Sequence, residues 1–585
     1  MKAPTRSSRQ SWSANRRRLA LALLGAAAVG IFARAVYLQV IDTEFLQGQG
    51  DERFLRTVAV PAHRGMVLDR NGEPLAVSSP VDSVWAHPPT LLAHRERLPE
   101  LARMLDINVA ELESKVLARG EKEFMYLKRA MEPDAAHRVA SLGVPGVFLQ
   151  REYRRYYPAA EVTSHLLGFT NIDDEGQEGI ELAHNRELQG VQGEKSVIKD
   201  RLGRIVEDVE SVREPQPGRD VALSIDRRIQ YLAYRAVKAA MIEHHAAAAS
   251  AVVLDVNTGE VLAMVNQPAV NPNNRQELKS DLLRNRALTD VYEPGSVMKP
   301  FTVALGLESG RYTPETPINT SPGYMSVGRY TVKDTHNYGL IDVSRVIIKS
   351  SNVGATKIAL SMPAEKLWDL FRKLGFGRPT DIGFPGEQGG WLAHYSRWST
   401  IGHANQSFGY GISMTPLQLA RAYAALASGG VIRPVSLVKV TQPPAGERIL
   451  SETTVRKLFP MLEAVVSRDG TAIQASVPGY RVGGKTGTVH KIIGRGYAKN
   501  NYYSVFAGFA PLSKPRLAMV VIVDDPKGKS YYGGLVAAPV FSKVMAGALR
   551  ILNVPPDNVV DPKRQPLGTV ASTATSPNAA SRVRP

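Results

Sequence analysis

Three short polar motifs contain the residue types that serine-dependent acyl transfer needs. The first is Ser-x-x-Lys, which occurs at Ser196–Lys199, Ser296–Lys299 and Ser436–Lys439. The first and last pairs lie among alternating apolar residues that predict strands, whereas Ser296 opens a segment with helical spacing. A helix places residues i and i+3 on one face, but a strand separates them. Ser296 and Lys299 are therefore the candidate nucleophile and base.

A lysine beside a serine activates it when the amine is neutral, because the amine can then accept the hydroxyl proton. The first turn of a helix also leaves backbone N–H groups free to bind an oxyanion. Pro300 is compatible with this position, since proline is tolerated in a first helical turn. The alternative is an N-cap serine followed by a solvated lysine, and this pair alone leaves both interpretations open.

The second motif is Ser350-x-Asn352, in a short polar segment between two predicted helices. Its hydroxyl could relay a proton to a leaving group, and its amide could hold a substrate amide. Serine and asparagine are also common helix caps, so a purely structural role is the alternative.

The third motif is Lys485-Thr486-Gly487-Thr488, which occurs once. Together with the two glycines that precede it, Gly487 predicts a strand with one bare side, where the backbone of a ligand could pair. The lysine and the two threonines could bind a terminal carboxylate. A Gly-rich turn or a phosphate loop is the alternative, but the glycine spacing of a phosphate loop is absent.

The elements around these motifs predict one α+β domain. Strand-like runs stand before the first motif and after the third, and helical stretches fill the middle of the chain. The predicted strands are 221–225, 251–255, 260–265, 502–510 and 517–523, and the main predicted helices are 228–245 and 415–427. We expect the first and last strands to lie in one sheet.

The N-terminus combines a basic block with an apolar segment. The chain carries 72 basic and 55 acidic residues, an excess of 17, and six of these charges lie in residues 1–18. Leu19–Ala33 has no charged residue, and the apolar character resumes after Arg34. A cleaved signal peptide and an uncleaved anchor both fit. We expect an anchor over 19–41, with 1–18 in the cytoplasm and the rest outside it, rather than a nucleic-acid-binding surface.

Composition restricts the other possibilities. The absence of cysteine excludes disulfides, thiolate metal sites and cysteine nucleophiles, and the 12 histidines are scattered, so no metal or cofactor is expected. The predicted organisation is an anchor-proximal domain over 42–215, a catalytic domain over 216–555 and a disordered tail over 556–585.

Jointly the three motifs resemble the signature of penicillin-recognising serine acyltransferases. Flanking segments extend the resemblance to class B penicillin-binding proteins, and more narrowly to their division-specific FtsI type. The segments are Arg64–Gly72, Tyr292–Ser296, Ser407–Gly411, Thr415–Leu419 and Tyr531–Gly534. The resemblance implies a single transmembrane helix, an α+β non-catalytic pedestal and a serine-β-lactamase-like transpeptidase domain with an antiparallel sheet flanked by helices.

The resemblance also implies residue roles. Ser296 would attack the penultimate D-Ala carbonyl of a peptidoglycan stem peptide, with Lys299 as base and with Ser350 and Lys485 in the proton relay. Asn352 would hold the donor peptide. Thr486 and Thr488, with Gly487 between them, would bind its carboxylate, and the N–H groups of Ser296 and Thr488 would form the oxyanion hole.

The implied partners are peptidoglycan stem peptides and strands derived from lipid-linked precursor, β-lactams, an FtsW-type glycosyltransferase and other division proteins, with no nucleic acid. The implied location is the inner membrane at the septum, with the catalytic domain in the periplasm. An elongation-specific relative with the same chemistry is the nearest alternative. A β-lactamase and a non-catalytic β-lactam sensor or division scaffold remain as further alternatives.

Overall fold

The computed structural model describes residues 8–41, 55–199, 205–494 and 496–558. Most of the predicted disordered tail, from residue 559 onward, lies outside the described residues, as do the first seven residues of the basic block. The chain begins with helix α1 (Ser8–Val36), which continues as a π-helical turn, Tyr37–Ile41. The 26-residue stretch Asn15–Val40 contains an 18-residue window of mean hydropathy 2.1. At about 1.5 Å per residue the whole stretch exceeds the roughly 30 Å hydrocarbon core of a bilayer.

The described residues form two compact units. The first contains the described parts of Met1–Gly65, Ser78–Arg154 and Gln189–Arg219. Strands β1 (Leu55–Val60), β6 (Gly193–Lys199) and β7 (Ile205–Arg213) form an antiparallel sheet in the order β1-β6-β7. In a second sheet β3 (Pro74–Ala86) pairs with β4 (Met125–Met131) and β5 (Val147–Tyr156).

Short helices cover a small core in this first unit. They are α2 (Pro88–Leu92), α3 (Leu98–Leu105), α4 (Val109–Leu117) and α5 (Pro133–Ala140). Val84, Leu101 and Leu112 are buried beneath them. The apolar spacing of residues 91–103 predicts one helix, but the structure divides this segment between two helices. The helix ends at Leu92 and restarts at Leu98, because Pro99 has no N–H to donate and is favoured in a first turn.

The second unit is built on a five-stranded antiparallel sheet. Its strand order is β10-β9-β21-β20-β19, so the predicted strands 251–255 and 260–265 do share one sheet with the last two predicted strands. The first predicted strand, 221–225, does not belong to it, because Val221–Ala222 pairs with Val67–Leu68 in another sheet. The strands are β9 (Ala248–Asp255), β10 (Val261–Gln267), β19 (Gly483–Ile493), β20 (Gly496–Ala510) and β21 (Leu517–Asp524). Every residue of β9 is buried, so both faces of the sheet are covered at this strand.

Two groups of helices complete the second unit. Helices α9 (Arg227–Glu243) and α20 (Ala538–Ile551) pack together, and α17 (Pro416–Ala427) packs on β9 and β21. The helices near the three motifs are α12 (Lys299–Glu308), α13 (Val343–Ile348), α14 (Asn352–Leu360) and α18 (Glu452–Val465). The other helices are α6 (Ser164–Leu167), α7 (Gly179–Ala183), α8 (Asn185–Gln189), α10 (Ser280–Leu283), α11 (Arg286–Thr289), α15 (Ala364–Lys373), α16 (Thr400–Gln406) and α19 (Gly533–Val536).

The remaining strands are short. They are β2 (Val67–Leu68), β8 (Val221–Ala222), β11 (Pro317–Asn319), β12 (Tyr324–Val327), β13 (Tyr330–Lys333), β14 (Leu340–Asp342), β15 (Trp391–Leu392), β16 (Ile412–Ser413), β17 (Val431–Ile432) and β18 (Glu447–Arg448). The predicted strand 221–225 is therefore only two residues long. Strands β12 and β13 form a hairpin whose last residue, Lys333, lies beside the second motif.

The second unit also contains residues 66–77 and 155–188, which precede most of it in the sequence. Val67 pairs in parallel with Val221, and the carboxylate of Asp69 accepts a hydrogen bond from the backbone of Arg227 at the start of α9. Asn273 bonds the backbone of Tyr157 through both its amide oxygen and its amide nitrogen. Because such pairings join residues more than a hundred positions apart, local sequence patterns did not reveal them.

Candidate active site

Ser296 lies in a 3₁₀ turn, Gly295–Met298, that leads directly into α12. The sequence predicted a helix at this point. The 3₁₀ turn also places residues i and i+3 on one face, so Ser296 and Lys299 still lie side by side. The Nζ of Lys299 is 2.9 Å from the Oγ of Ser296. The serines of the other two Ser-x-x-Lys pairs lie elsewhere in the fold. Ser196 lies on β6, as predicted. Ser436 was also predicted to lie on a strand, but it lies in an irregular segment with isolated bridges.

Lys299 is fully buried and has no carboxylate among its hydrogen-bond partners. Its Nζ donates to the backbone oxygen of Ser350 at 2.5 Å and contacts the hydroxyl of Ser350 at 3.1 Å. Burial, and then the nearby charge of Lys485, hold the pKa of Lys299 well below its usual value. A neutral amine at this position can accept a proton from the serine hydroxyl.

Ser350 connects α13 to α14 with a left-handed backbone, φ +60°. This conformation is uncommon outside glycine and ends α13 sharply. The next residue, Ser351, caps α14 by accepting a hydrogen bond from the backbone of Gly354 at 2.9 Å. The helix-capping role that the sequence left open for the second motif therefore belongs to Ser351, the residue between Ser350 and Asn352.

Asn352 stands at the first position of α14, where its side-chain nitrogen donates to the backbone oxygen of Lys333 at 2.8 Å. This bond to the end of β13 fixes the plane of the amide. The amide is therefore oriented before any ligand arrives.

Asp334 is a site residue that the sequence analysis missed. Its carboxylate accepts hydrogen bonds from the hydroxyl of Ser351 at 2.6 Å and from the backbone N–H groups of Asn352 and Val353 at 2.5 and 3.0 Å. It thereby caps α14 from another segment and holds the turn that contains Ser350. A carboxylate that caps a helix from a distant segment cannot be recognised from its neighbours in the sequence. The only sequence feature that pointed to Asp334 was its position just after a short strand.

Lys485 lies on β19, the edge strand of the five-stranded sheet. Its Nζ is 3.0 Å from the hydroxyl of Ser350 and 3.2 Å from the backbone oxygen of Thr486. Burial lowers the pKa of Lys485 to about 7. The hydroxyl of Ser350 therefore lies between two buried amines, one from each of the other two motifs.

The two threonines of the third motif are oriented by further hydrogen bonds. The hydroxyl of Thr486 is 2.8 Å from that of Thr471, which the sequence analysis did not select. The hydroxyl of Thr488 accepts a hydrogen bond from the backbone of Gly533 at 3.1 Å. These contacts place two hydroxyl groups on the same strand as Lys485, two residues apart and hence on one face.

The glycines at the third motif were predicted to leave one side of the strand bare for a ligand, but the structure shows another reason for them. A Cβ on Gly484 would lie 2.4 Å from the ring of Phe506, and one on Gly487 would lie 3.0 Å from the backbone oxygen of Pro294. The glycines therefore permit close internal packing. The unpaired edge of β19 follows instead from its terminal position in the sheet.

Among the residues that the structure describes, no group of three metal-binding side chains is present. The three motifs instead bring a hydroxyl nucleophile, two amines of lowered pKa and a relay hydroxyl into one connected set of hydrogen bonds. Such an arrangement can acylate a serine and protonate a leaving amine.

Comparison with known proteins identifies the family. Residues 249–546 match the model of the penicillin binding protein transpeptidase domain, and residues 59–223 match that of the penicillin-binding protein dimerisation domain. The chain belongs to the penicillin-binding protein family. The peptidoglycan D,D-transpeptidase FtsI of Escherichia coli K12 is 43% identical over 532 residues, 90% of each chain. The probable peptidoglycan D,D-transpeptidase PbpC of Pseudomonas aeruginosa is 41% identical over 543 residues, 93% of this chain and 96% of that one.

Solved structures of penicillin-binding proteins are similar to this chain. The transpeptidase domain of penicillin-binding protein 3 from Burkholderia pseudomallei is 46% identical and covers 57% of this chain and 97% of its own, with TM-score 0.53. Penicillin-binding protein 3 from Mycobacterium tuberculosis, solved with aztreonam, is 28% identical and covers 85% of this chain and 98% of its own, with TM-score 0.67. The similarity therefore extends over both domains, and the fold is that of a two-domain penicillin-binding protein with an N-terminal apolar helix.

Proposed function

We propose that this chain is a peptidoglycan D,D-transpeptidase that cross-links stem peptides during septal wall synthesis and is acylated by β-lactams. The observation that supports it best is the 2.9 Å contact between Lys299 and Ser296, with Ser350 bonded to both Lys299 and Lys485. The substrate class is proposed from the relatives, which are peptidoglycan D,D-transpeptidases by name.

In the first step Lys299, neutral because its pKa is lowered, accepts the hydroxyl proton of Ser296. The oxygen of Ser296 attacks the penultimate D-Ala carbonyl, and the backbone N–H groups of Ser296 and Thr488 stabilise the oxyanion. The C–N bond then breaks, the leaving amine of the terminal D-Ala takes a proton through Ser350, and an acyl-enzyme ester remains. Lys485 restores the proton of Ser350, to which it is hydrogen-bonded at 3.0 Å.

In the second step an amine from a neighbouring stem attacks the ester. Its proton passes through Ser350 to Lys485, Lys299 returns the proton that it holds to the oxygen of Ser296, and an amide cross-link forms. We assign donor-peptide binding to Asn352 and carboxylate binding to Thr486 and Thr488, with Gly487 between them. A β-lactam would acylate Ser296 by the same attack, because its strained amide takes the place of the D-Ala-D-Ala amide.

Fluorescent penicillin tests this core proposal. The full chain should be labelled covalently, and Ser296→Ala should abolish the label. Ser196→Ala, which changes the serine of another Ser-x-x-Lys pair, is the matched control and should label normally. Persistent labelling of Ser296→Ala would overturn the assignment of the nucleophile, and steady turnover of the penicillin would favour a β-lactamase instead. A folded chain that neither labels nor cross-links would favour the sensor or scaffold alternative.

We further propose a role in division rather than elongation, since relatives at 43% identity bear the FtsI name. An FtsW-type glycosyltransferase and other division proteins are the proposed partners, and residues 42–215 the pedestal that positions residues 216–555. Depletion of the protein should give filaments. Round cells would point to the elongation machinery.

The anchor is proposed to leave residues 1–18 in the cytoplasm and the catalytic domain in the periplasm. The absence of cysteine makes a direct test possible. Single cysteines can be introduced as Ser13→Cys before the apolar segment and as Ser513→Cys at an exposed position of the second unit. An impermeant maleimide applied to spheroplasts should label only the second. Labelling of the first alone would reverse the orientation.

A further inference from the structure

A buried carboxylate lies three residues before Ser296. Glu293 is only 8% exposed, and its Oε1 accepts hydrogen bonds from the backbone of Gly411 at 2.7 Å and from the hydroxyl of Tyr497 at 3.2 Å. No hydrogen-bond donor among the described residues reaches its Oε2, which is also buried. Burial raises the pKa of Glu293. The fold therefore holds this group in place against a desolvation penalty.

The two partners of Glu293 belong to different segments. Gly411 lies between α16 and β16, and Tyr497 lies at the start of β20 in the β19–β20 hairpin. The ring of Tyr497 is 52% exposed, yet its hydroxyl reaches the buried carboxylate. Its ring also lies edge-on to that of Tyr410, with centroids 5.6 Å apart. One carboxylate thus joins the turn that carries Ser296 to a loop and to the hairpin.

The same turn and hairpin are in close contact at two glycines. A Cβ on Gly295 would lie 2.3 Å from a methyl carbon of Val489, and one on Gly487 would lie 3.0 Å from the backbone oxygen of Pro294. The hairpin strand β19 carries Thr488 between these contacts. A shift of the hairpin against the turn would therefore change the separation between the backbone N–H groups of Ser296 and Thr488.

We infer that Glu293 is a positioning residue for acylation of Ser296. This inference rests on the proposed function. Through Tyr497 and Gly411 its carboxylate holds the hairpin and the serine turn at the separation at which both N–H groups face one carbonyl oxygen. Glu293 touches no reacting atom. Its contribution should consequently appear in the rate of the chemical step and not in the affinity for the ligand.

Acylation kinetics of the detergent-solubilised full chain with fluorescent penicillin provide the test. Measured over a range of penicillin concentrations, they separate the binding constant from the saturating acylation rate constant. Because displacement of reacting groups by about 1 Å can cost roughly 100-fold, Glu293→Ala should reduce the saturating rate constant by about 10- to 100-fold with little change in the binding constant. Glu293→Gln retains an acceptor oxygen for both donors and should restore most of the rate.

Tyr497→Phe removes one donor but leaves the carboxylate and its bond to Gly411. It should reduce the saturating rate in the same direction, and the double variant with Glu293→Ala should be no slower than Glu293→Ala alone. Glu308→Ala, an exposed carboxylate at the other end of α12, is the control and should acylate at the rate of the unchanged protein.

An unchanged saturating rate in Tyr497→Phe, or multiplicative effects in the double variant, would overturn the inference. If Glu293→Ala loses its folded melting transition, Tyr497→Phe decides the question alone. Labelling that persists in Ser296→Ala would instead overturn the proposed function, so the two failures are distinguishable.

Discussion

Lys299 and Lys485 share one hydrogen-bond partner: their Nζ atoms lie 3.1 and 3.0 Å from the hydroxyl of Ser350. They come from α12 and β19, and the two lysines are 186 positions apart in the chain. Burial disfavours the charge of both lysines, and the charge of Lys485 further disfavours that of Lys299. The pKa of each is accordingly lowered, to about 7 for Lys485.

The acylation rate should depend on pH through Lys299. The amine must be neutral to accept a proton, so the rate falls as pH drops through its pKa, which burial and the charge of Lys485 hold low. Lys485→Gln removes the charge of Lys485 and thereby raises the pKa of Lys299. As the pH is lowered, the acylation rate of this variant should therefore begin to fall at a higher pH than that of the unchanged protein. Labelling rates between about pH 5 and about pH 10 measure this shift.

Lys349→Gln is the matched control for the pH profile. Lys349 pairs with Asp469 at 2.5 Å and does not contribute to the lowered pKa of Lys299, so its loss should leave the pH profile unchanged. An acid limb that moves to lower pH in Lys485→Gln would contradict the electrostatic account.

Lys485→Met should slow acylation yet stabilise the fold. A buried lysine whose folded pKa is about 7 binds fewer protons than the unfolded chain between about pH 7 and about pH 10, so the stability of the unchanged protein rises with pH over this range. The stabilisation by methionine, at most roughly 5 kcal/mol, should be greatest at or below about pH 7 and should vanish toward about pH 10. Melting temperatures at both ends of this range measure it. A gain that is independent of pH would be inconsistent with this origin.

Asp334→Ala should reduce both stability and labelling. It removes an acceptor from the hydroxyl of Ser351 and from two backbone N–H groups of α14, and thereby loosens the turn that carries Ser350. We expect a loss of about 1–2 kcal/mol in unfolding free energy and roughly a tenfold slower labelling rate. Asp342→Ala removes the comparable cap of α13. The carboxylate of Asp342 accepts a hydrogen bond from the backbone N–H of Arg345 at 2.7 Å. This control should lose similar stability but label at the normal rate, and equal slowing of both variants would argue against a specific role.

Gly295→Ala should block acylation. Gly295 has φ +62°, and its new Cβ would collide with Val489 at 2.3 Å, so the serine turn and β19 would have to separate. Gly310→Ala has similar backbone strain, φ +72°, but no atom within 4 Å, and it should lose only about 1 kcal/mol of stability. Labelling of Gly295→Ala and of the double variant with Val489→Ala provides the check. Partial recovery in the double variant is expected, and normal labelling of Gly295→Ala itself would show that the contact is dispensable.

The sequence by itself determined the local features of this protein. Residue type and i, i+3 spacing identified Ser296 and Lys299, because a helical turn alone brings them within hydrogen-bond reach. The apolar run after the basic block predicted an N-terminal helix that is long and apolar enough to cross a membrane, because length and hydropathy can be read directly from the residues. Apolar runs predicted strands β9, β10 and β21. Because these strands lie before and after the helices of the domain, the sequence also predicted that they share one sheet.

Only the tertiary structure decided how distant segments act on one another. The sharing of Ser350 by two lysines, the capping of α14 by Asp334 and the contact of Glu293 with Tyr497 each join residues far apart in the chain. Burial decides their chemistry, because it lowers the pKa of a lysine and makes an unpaired carboxylate oxygen costly. Burial and long-range hydrogen bonds depend on the packing of the whole unit, so no local pattern of residues encodes them.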